Sequence, residues 1–177
     1  MYIWIGIDVD NQLEKIKTKA IKIEKDLNFL NSNFTLPLHI SFKISFLVDE
    51  NIHNDVINTI LDYYNSLKEF DVETSGIENF NSIIWIKMKK NNILDKIHDD
   101  LNDLLLKKYN IGLHPYDLDY LFHTTLFMEG DEEKINKAYQ LIKDEVLPNR
   151  LTVSKLVIGT SQTGKLGSYS IYKTVNL

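Results

Sequence analysis

The chain contains no cysteine, so disulfides, thiolate zinc sites and thiol redox chemistry are excluded. Arginine is almost as scarce: Arg150 is the one arginine among 20 basic residues, and 25 acidic residues leave a net charge of −5. Proteins that hold long nucleic acid need a broad positive field to displace counterions, and this charge argues against such a partner. A small anionic ligand in a local pocket is compatible with it. No apolar run approaches membrane-spanning length, and the opening MYIWIGIDVD lacks a basic leader and turns acidic, so it reads as a first strand and not as a signal peptide. These features fit a cytoplasmic protein. No Gly-, Pro- or Ser-rich linker and no low-complexity segment divides the 177 residues, which predicts a single bilobal domain over 1–177.

What is present is an order of elements that repeats. After the first strand, Leu13, Ile16, Ala20, Ile23, Leu27 and Leu30 recur at steps of three and four, which predicts an amphipathic helix with Asn11 and Glu14 at a capped start. PLHISFKISF (37–46) alternates throughout: His39, Ser41, Lys43 and Ser45 share one parity, Ile40, Phe42, Ile44 and Phe46 the other. That predicts a strand with one apolar and one polar face. A helix over roughly 51–68 and the strand FDVETS complete the first half. The order then recurs as strand IIWIKMK, helix ILDKIHDDLNDLLLKKY, loop NIGLHPYDLDY, strand LFHTTLFM, a helix over about 132–146, and strand LTVSKLVIG, followed by a closing hairpin. A shift of 84 residues, from His39 to His123, carries each element near its counterpart. The expected fold class is α/β (α+β), with duplicated β-α-β-α-β halves, about 1–80 and 81–177, and largely antiparallel sheets around a cleft.

Each half places a hydroxyl two residues after a histidine: His39 with Ser41, and His123 with Thr125. On a strand such a pair shares a face, about 6.5–7 Å apart, and both side chains can touch one phosphate. In a chain with 5 histidines chance supplies roughly 0.6 such pairs, so two at equivalent places of a repeated plan carry weight that one would not. His39-Ile40-Ser41 and His123-Thr124-Thr125 resemble the paired His-x-Thr/Ser motifs of the two-histidine phosphoesterase superfamily, the LigT or 2′-5′ RNA ligase-like proteins. The resemblance covers nearly the whole chain, with serine at position 41 where threonine is commoner.

The resemblance implies a cyclic phosphodiesterase or 2′-5′ RNA ligase-like activity. One imidazole would act as general base and the other as general acid on a 2′,3′-cyclic phosphate, a 2′-5′ linkage or a cyclic oligonucleotide, with 2′-5′ ligation as the possible reverse. Ser41 and Thr125 would hold the non-bridging oxygens, and the scheme needs no metal and no cofactor. The implied partner is a small nucleotide or short oligonucleotide. The competing reading is a non-catalytic module that binds a nucleotide or a protein on a degenerate form of the same fold.

Two more residues are candidate substrate contacts. Lys43 shares the parity of His39 and Ser41, with a solvated side chain as the alternative; Tyr116 precedes the second motif, with a packing role as the alternative. GTSQTGK (159–165) has the glycine–lysine spacing of a phosphate loop, but Leu166 stands where a hydroxyl is required and a strand-like ending replaces the helix. His114, Asp117, Asp119 and His123 match no metal-ligand spacing, so no metal site is expected. His53 and His98, on helical stretches with polar neighbours, are expected at the surface.

Overall fold

The computed structural model describes residues 1–29, 34–128 and 131–177; Leu30 and part of the NSNFTLP break lie outside the described residues. In chain order the elements are β1 (Tyr2–Asp8), α1 (Glu14–Asp26), β2 (His39–Ser41), β3 (Phe46–Leu47), α2 (His53–Tyr64) and β4 (Phe70–Phe80). The second half comprises β5 (Ile83–Met88), α3 (Asn92–Tyr109), β6 (His123–Met128), α4 (Glu132–Ile142), β7 (Arg150–Val153), β8 (Lys155–Ser161) and β9 (Ser170–Asn176). Both expected helical stripes face the core: Leu13, Ile16, Ala20 and Ile23 on the first, and Val56 and Ile60 on the second, are buried. The expected Asn11 start does not form. A 3-10 turn over Asp10–Gln12 precedes α1, and Asp10 instead accepts from Lys17 Nζ at 2.6 Å and from the Leu38 amide at 2.7 Å. No helix among the described residues is long and apolar enough to cross a membrane.

Two antiparallel sheets organise these elements. One has the order β2-β1-β8-β9, with β3 also paired to β1; the other has the order β6-β5-β4-β7. The halves of the sequence therefore exchange strands: β4 closes the first half but pairs with β5 of the second, while β8 pairs with β1. The exchange splits the expected strand LTVSKLVIG in two. Leu151 and Val153 are buried on one parity and Leu156 and Ile158 on the other, because the chain leaves one sheet and enters the other at Ser154. The closing hairpin forms as expected, β8 with β9.

The strand expected over 37–46 is interrupted after Ser41, and Lys43 is the reason. Phe42 still donates its amide to Ile5 at 2.9 Å, but Lys43 then turns inward and is 1 % exposed. Its ammonium group donates to Asn102 Oδ1 at 2.7 Å, the Gly112 carbonyl at 3.2 Å and Asp117 Oδ2 at 2.5 Å. Asp117 also accepts from the Ile44 amide at 2.9 Å and the His114 amide at 2.8 Å. A buried ammonium is tolerated when each proton finds an acceptor and the charge finds a partner, and both conditions hold here. The expectations for Lys43 are thus corrected: the alternation placed it on a wet face, whereas ion pairing has drawn it into the interior.

His98 is a second correction. It is 7 % exposed because it sits on the buried stripe of α3 with Leu94, Leu101 and Leu105, packed against Tyr120 and Phe122.

The ion pair generates a stability prediction. Lys43→Met strands a buried carboxylate and should cost about 3–5 kcal/mol in urea unfolding, whereas the Lys43→Met/Asp117→Leu double variant, which removes both charges, should lose less. Burial alone would raise the Asp117 carboxyl, but hydrogen bonds from Lys43 and from the Ile44 and His114 amides hold it below the usual carboxylate range. The stabilisation is therefore complete above the unfolded value of about 3.9 and is lost as the pH falls through the lower folded value.

Candidate active site

The two histidine strands are the edges of their sheets, and the edges meet. β2 flanks β1, β6 flanks β5, and Thr124 Oγ1 donates to the His39 carbonyl across the junction at 3.0 Å. The strand pleat sends Ile40, Thr124 and Leu126 into the protein, where they are fully buried, and leaves His39, Ser41, His123 and Thr125 on the opposite parity. These four side chains line one cleft of 320 Å³. Gly6 lies opposite Ser41 in the β1–β2 ladder, where a Cβ would come within 2.5 Å of the Ile40 carbonyl oxygen.

The imidazoles are anchored alike. His39 Nδ1 lies 2.7 Å from the Pro37 carbonyl, and His123 Nδ1 lies 2.6 Å from the Leu121 carbonyl, each two residues upstream. A carbonyl only accepts, so Nδ1 carries the proton in both charge states and Nε2 is the nitrogen left for a ligand. A tryptophan from the neighbouring strand backs each ring: Trp4 packs edge-on to His39 at 4.2 Å, and Trp85 lies 4.1 Å from His123. The Trp4 indole N–H donates to Ser41 Oγ at 2.8 Å, which occupies one hydroxyl lone pair and fixes the hydroxyl at the cleft. Both histidine pKa values fall below 6.5, chiefly because burial penalises the charged ring; the carbonyl bonds partly oppose this, and a charge on His123 depresses His39 further.

The expected substrate contacts fare differently. Lys43 borders the cleft, but its three ammonium protons are already bound within the protein. Tyr116 does not line the cleft: it is 74 % exposed on the 3-10 turn Pro115–Asp117, beside His114. Tyr120, four residues on, lines it instead. Burial pushes its phenol up, partly offset by hydrogen bonding to Ser41. A larger cavity of 590 Å³ lies beyond Tyr120, against His98 and Asp99, and none of the histidine–hydroxyl residues borders it. Among the described residues no cluster of acidic or histidine side chains could hold a metal ion.

Sequence reading passed over Trp4, Trp85 and Tyr120. A signal for the tryptophans exists: the string Ile-Trp-Ile occurs once in each half, at Ile3–Ile5 and at Ile84–Ile86. No comparable signal marks Tyr120, which the loop fold alone delivers. For the imidazoles, NMR of the ring nitrogens should find both in the Nδ1–H tautomer with titration midpoints below 6.5. An Nε2–H tautomer in either ring, or a midpoint above that value, would contradict the anchoring.

The fold has relatives among solved structures. TT0787 of Thermus thermophilus superposes with a TM-score of 0.61 at 10% identity, covering 100% of this chain and 98% of that one. LigT of E. coli in apo form gives 0.57 at 13% identity, covering 99% and 96%, and Usb1 of Kluyveromyces marxianus gives 0.51 at 13%, covering 99% and 98%. At such identities the likeness establishes the fold alone. No curated protein sequence matches the chain. The model of the 2'-5' RNA ligase superfamily, however, matches residues 8–165, most of the chain, and the protein accordingly belongs to that superfamily.

Proposed function

We propose that the protein is a metal-independent phosphodiesterase acting on a nucleotide or RNA-end phosphodiester by acid–base catalysis between His39 and His123. The observation that carries this reading is the pair of imidazoles, each anchored at Nδ1 by a carbonyl, bordering one cleft with Ser41 and Thr125. Superfamily membership supports phosphoesterase or ligase-like chemistry. LigT of E. coli has been crystallised with phosphate, 3'-AMP, ATP and NADP+, which supports a small nucleotide as the ligand.

In the proposed reaction one Nε2 takes the proton of a water molecule or ribose hydroxyl as its oxygen attacks phosphorus. The bond from phosphorus to the leaving oxygen breaks, and the second imidazole, entering protonated, gives its Nε2 proton to that oxygen. Water opening a 2′,3′-cyclic phosphate yields a phosphomonoester; a ribose 2′-hydroxyl as nucleophile or leaving group corresponds to joining or cleaving a 2′-5′ linkage. Ser41 donates to a non-bridging oxygen as charge accumulates there, with Thr125 on the other strand in the same role.

The test presents 2′,3′-cyclic nucleotides, 2′-5′-linked oligonucleotides and cyclic oligonucleotides in the presence of EDTA. Turnover should persist, and His39→Ala and His123→Ala should each lower it by roughly 10²- to 10⁴-fold without loss of folding. Activity that survives both substitutions would remove these histidines from the mechanism, and inhibition by EDTA would remove the metal-independent scheme. The pH dependence is a second check. The active form holds one proton between two imidazoles that both titrate below 6.5, so kcat/KM, which reports the free enzyme, should peak below that value and decline toward pH 8.

A further inference from the structure

The glycine–lysine string GTSQTGK does not build a phosphate loop, yet folding brings it to the cleft. It ends β8 and enters the turn that leads into the antiparallel strand β9. Gly164, Leu166, Gly167 and Tyr169 of that turn form a wall of the cleft that also holds His39 and His123. Gly164 and Gly167 take φ angles of +70° and +77°, and a Cβ on Gly164 would lie 2.8 Å from the Tyr2 ring, so glycine permits both the bend and the close approach.

A knot of hydroxyls fixes the turn. Ser161 Oγ accepts from the Thr163 and Gly164 amides at 3.1 and 2.9 Å and lies 2.6 Å from Ser168 Oγ. Ser168 Oγ accepts from Thr163 Oγ1 at 3.0 Å and donates to the Lys165 carbonyl at 2.5 Å, and the Ser168 amide donates to the same carbonyl at 3.0 Å. The backbone of Lys165 is thereby held between two wall residues, Gly164 and Leu166. Its side chain is exposed and makes no ion pair among the described residues.

This matters because, apart from the two imidazoles, the residues that line the cleft offer an anion no cation with a free proton. Lys43 is the one Lys, Arg, Asp or Glu among its lining residues, and its protons are all bound internally. We propose that the turn between β8 and β9 is the ligand-gripping wall of the site and that Lys165 supplies the positive charge that attracts and holds the phosphate of a bound phosphodiester. The inference rests on the phosphodiesterase reading and adds a binding residue to it. A lysine acts here as a mobile point charge, so arginine should substitute for it and glutamine should not.

The test compares wild type, Lys165→Gln and Lys165→Arg. Steady-state kinetics on a 2′,3′-cyclic nucleotide at about 20 and about 200 mM NaCl should give Lys165→Gln a KM raised roughly three- to tenfold at low salt, with kcat within about twofold of wild type. The salt dependence of KM should flatten in Lys165→Gln and return in Lys165→Arg. Inorganic phosphate, titrated into each protein and followed by NMR of the imidazoles, reads the same inference without turnover and should weaken by the same factor in Lys165→Gln. A wild type that binds phosphate but turns nothing over would defeat the enzymatic reading alone. Unchanged KM and phosphate affinity in Lys165→Gln would overturn the role of Lys165, as would a wild type that binds no phosphate at millimolar concentration.

Discussion

The buried pair of Lys43 and Asp117 is the constraint from which the arrangement of the site follows. An ammonium and a carboxylate withdrawn from water demand full hydrogen bonding, and the partners that satisfy them come from three places: the segment after β2, helix α3 through Asn102, and the loop before β6. Meeting that demand ends β2 at Ser41 and pins the loop that carries Tyr120. The edge strand of one sheet is thereby held against the approach to the edge strand of the other, with the Thr124 hydroxyl bound to the His39 carbonyl at the contact. Without that junction each histidine would be an ordinary residue on the wet side of an edge strand.

The exchange of strands between the halves accounts for the meeting of the two histidine edges. Because β4 pairs with β5 and β8 with β1, the first and second halves share both sheets, and equivalent edges are brought to face each other. Equivalence extends to fine detail, since both imidazoles use Nδ1 on a carbonyl two residues upstream and both have an indole behind them. It does not extend to everything. Ser41 Oγ accepts a hydrogen bond from the Trp4 indole N–H, whereas Trp85 stacks on Phe80 and its indole nitrogen has no partner among the described residues, so the two sides of the cleft are chemically distinct.

Much of this was legible in the sequence because it rests on periodicity. The pleat fixes which residues share a face, and the spacing of His39 with Ser41 and of His123 with Thr125 survives folding unchanged; so do the four helices, whose apolar stripes are local. What failed was the reading of residues whose position depends on a distant partner. Lys43 meets Asp117, 74 residues away, and the energy of that pairing overrides the alternation that would have left it in water. Tyr116 and Tyr120 are indistinguishable by composition, and the ordering of their loop by Asp117 decides that the second faces the cleft. The turn after β8 leads into a strand and not into the helix that a phosphate loop precedes, and its place beside the histidines comes from strand exchange, which leaves no local mark.

The central claim is that the two imidazoles address one phosphate. The most direct measurement is an NMR titration of the wild-type protein with inorganic phosphate, following the ring nitrogens of His39 and His123 together. An anion between them favours the protonated form of each, so both Nε2 signals should move along a single saturation curve and both midpoints should rise from their depressed values. Movement of one ring alone, two unrelated curves, or no movement in either would contradict the account.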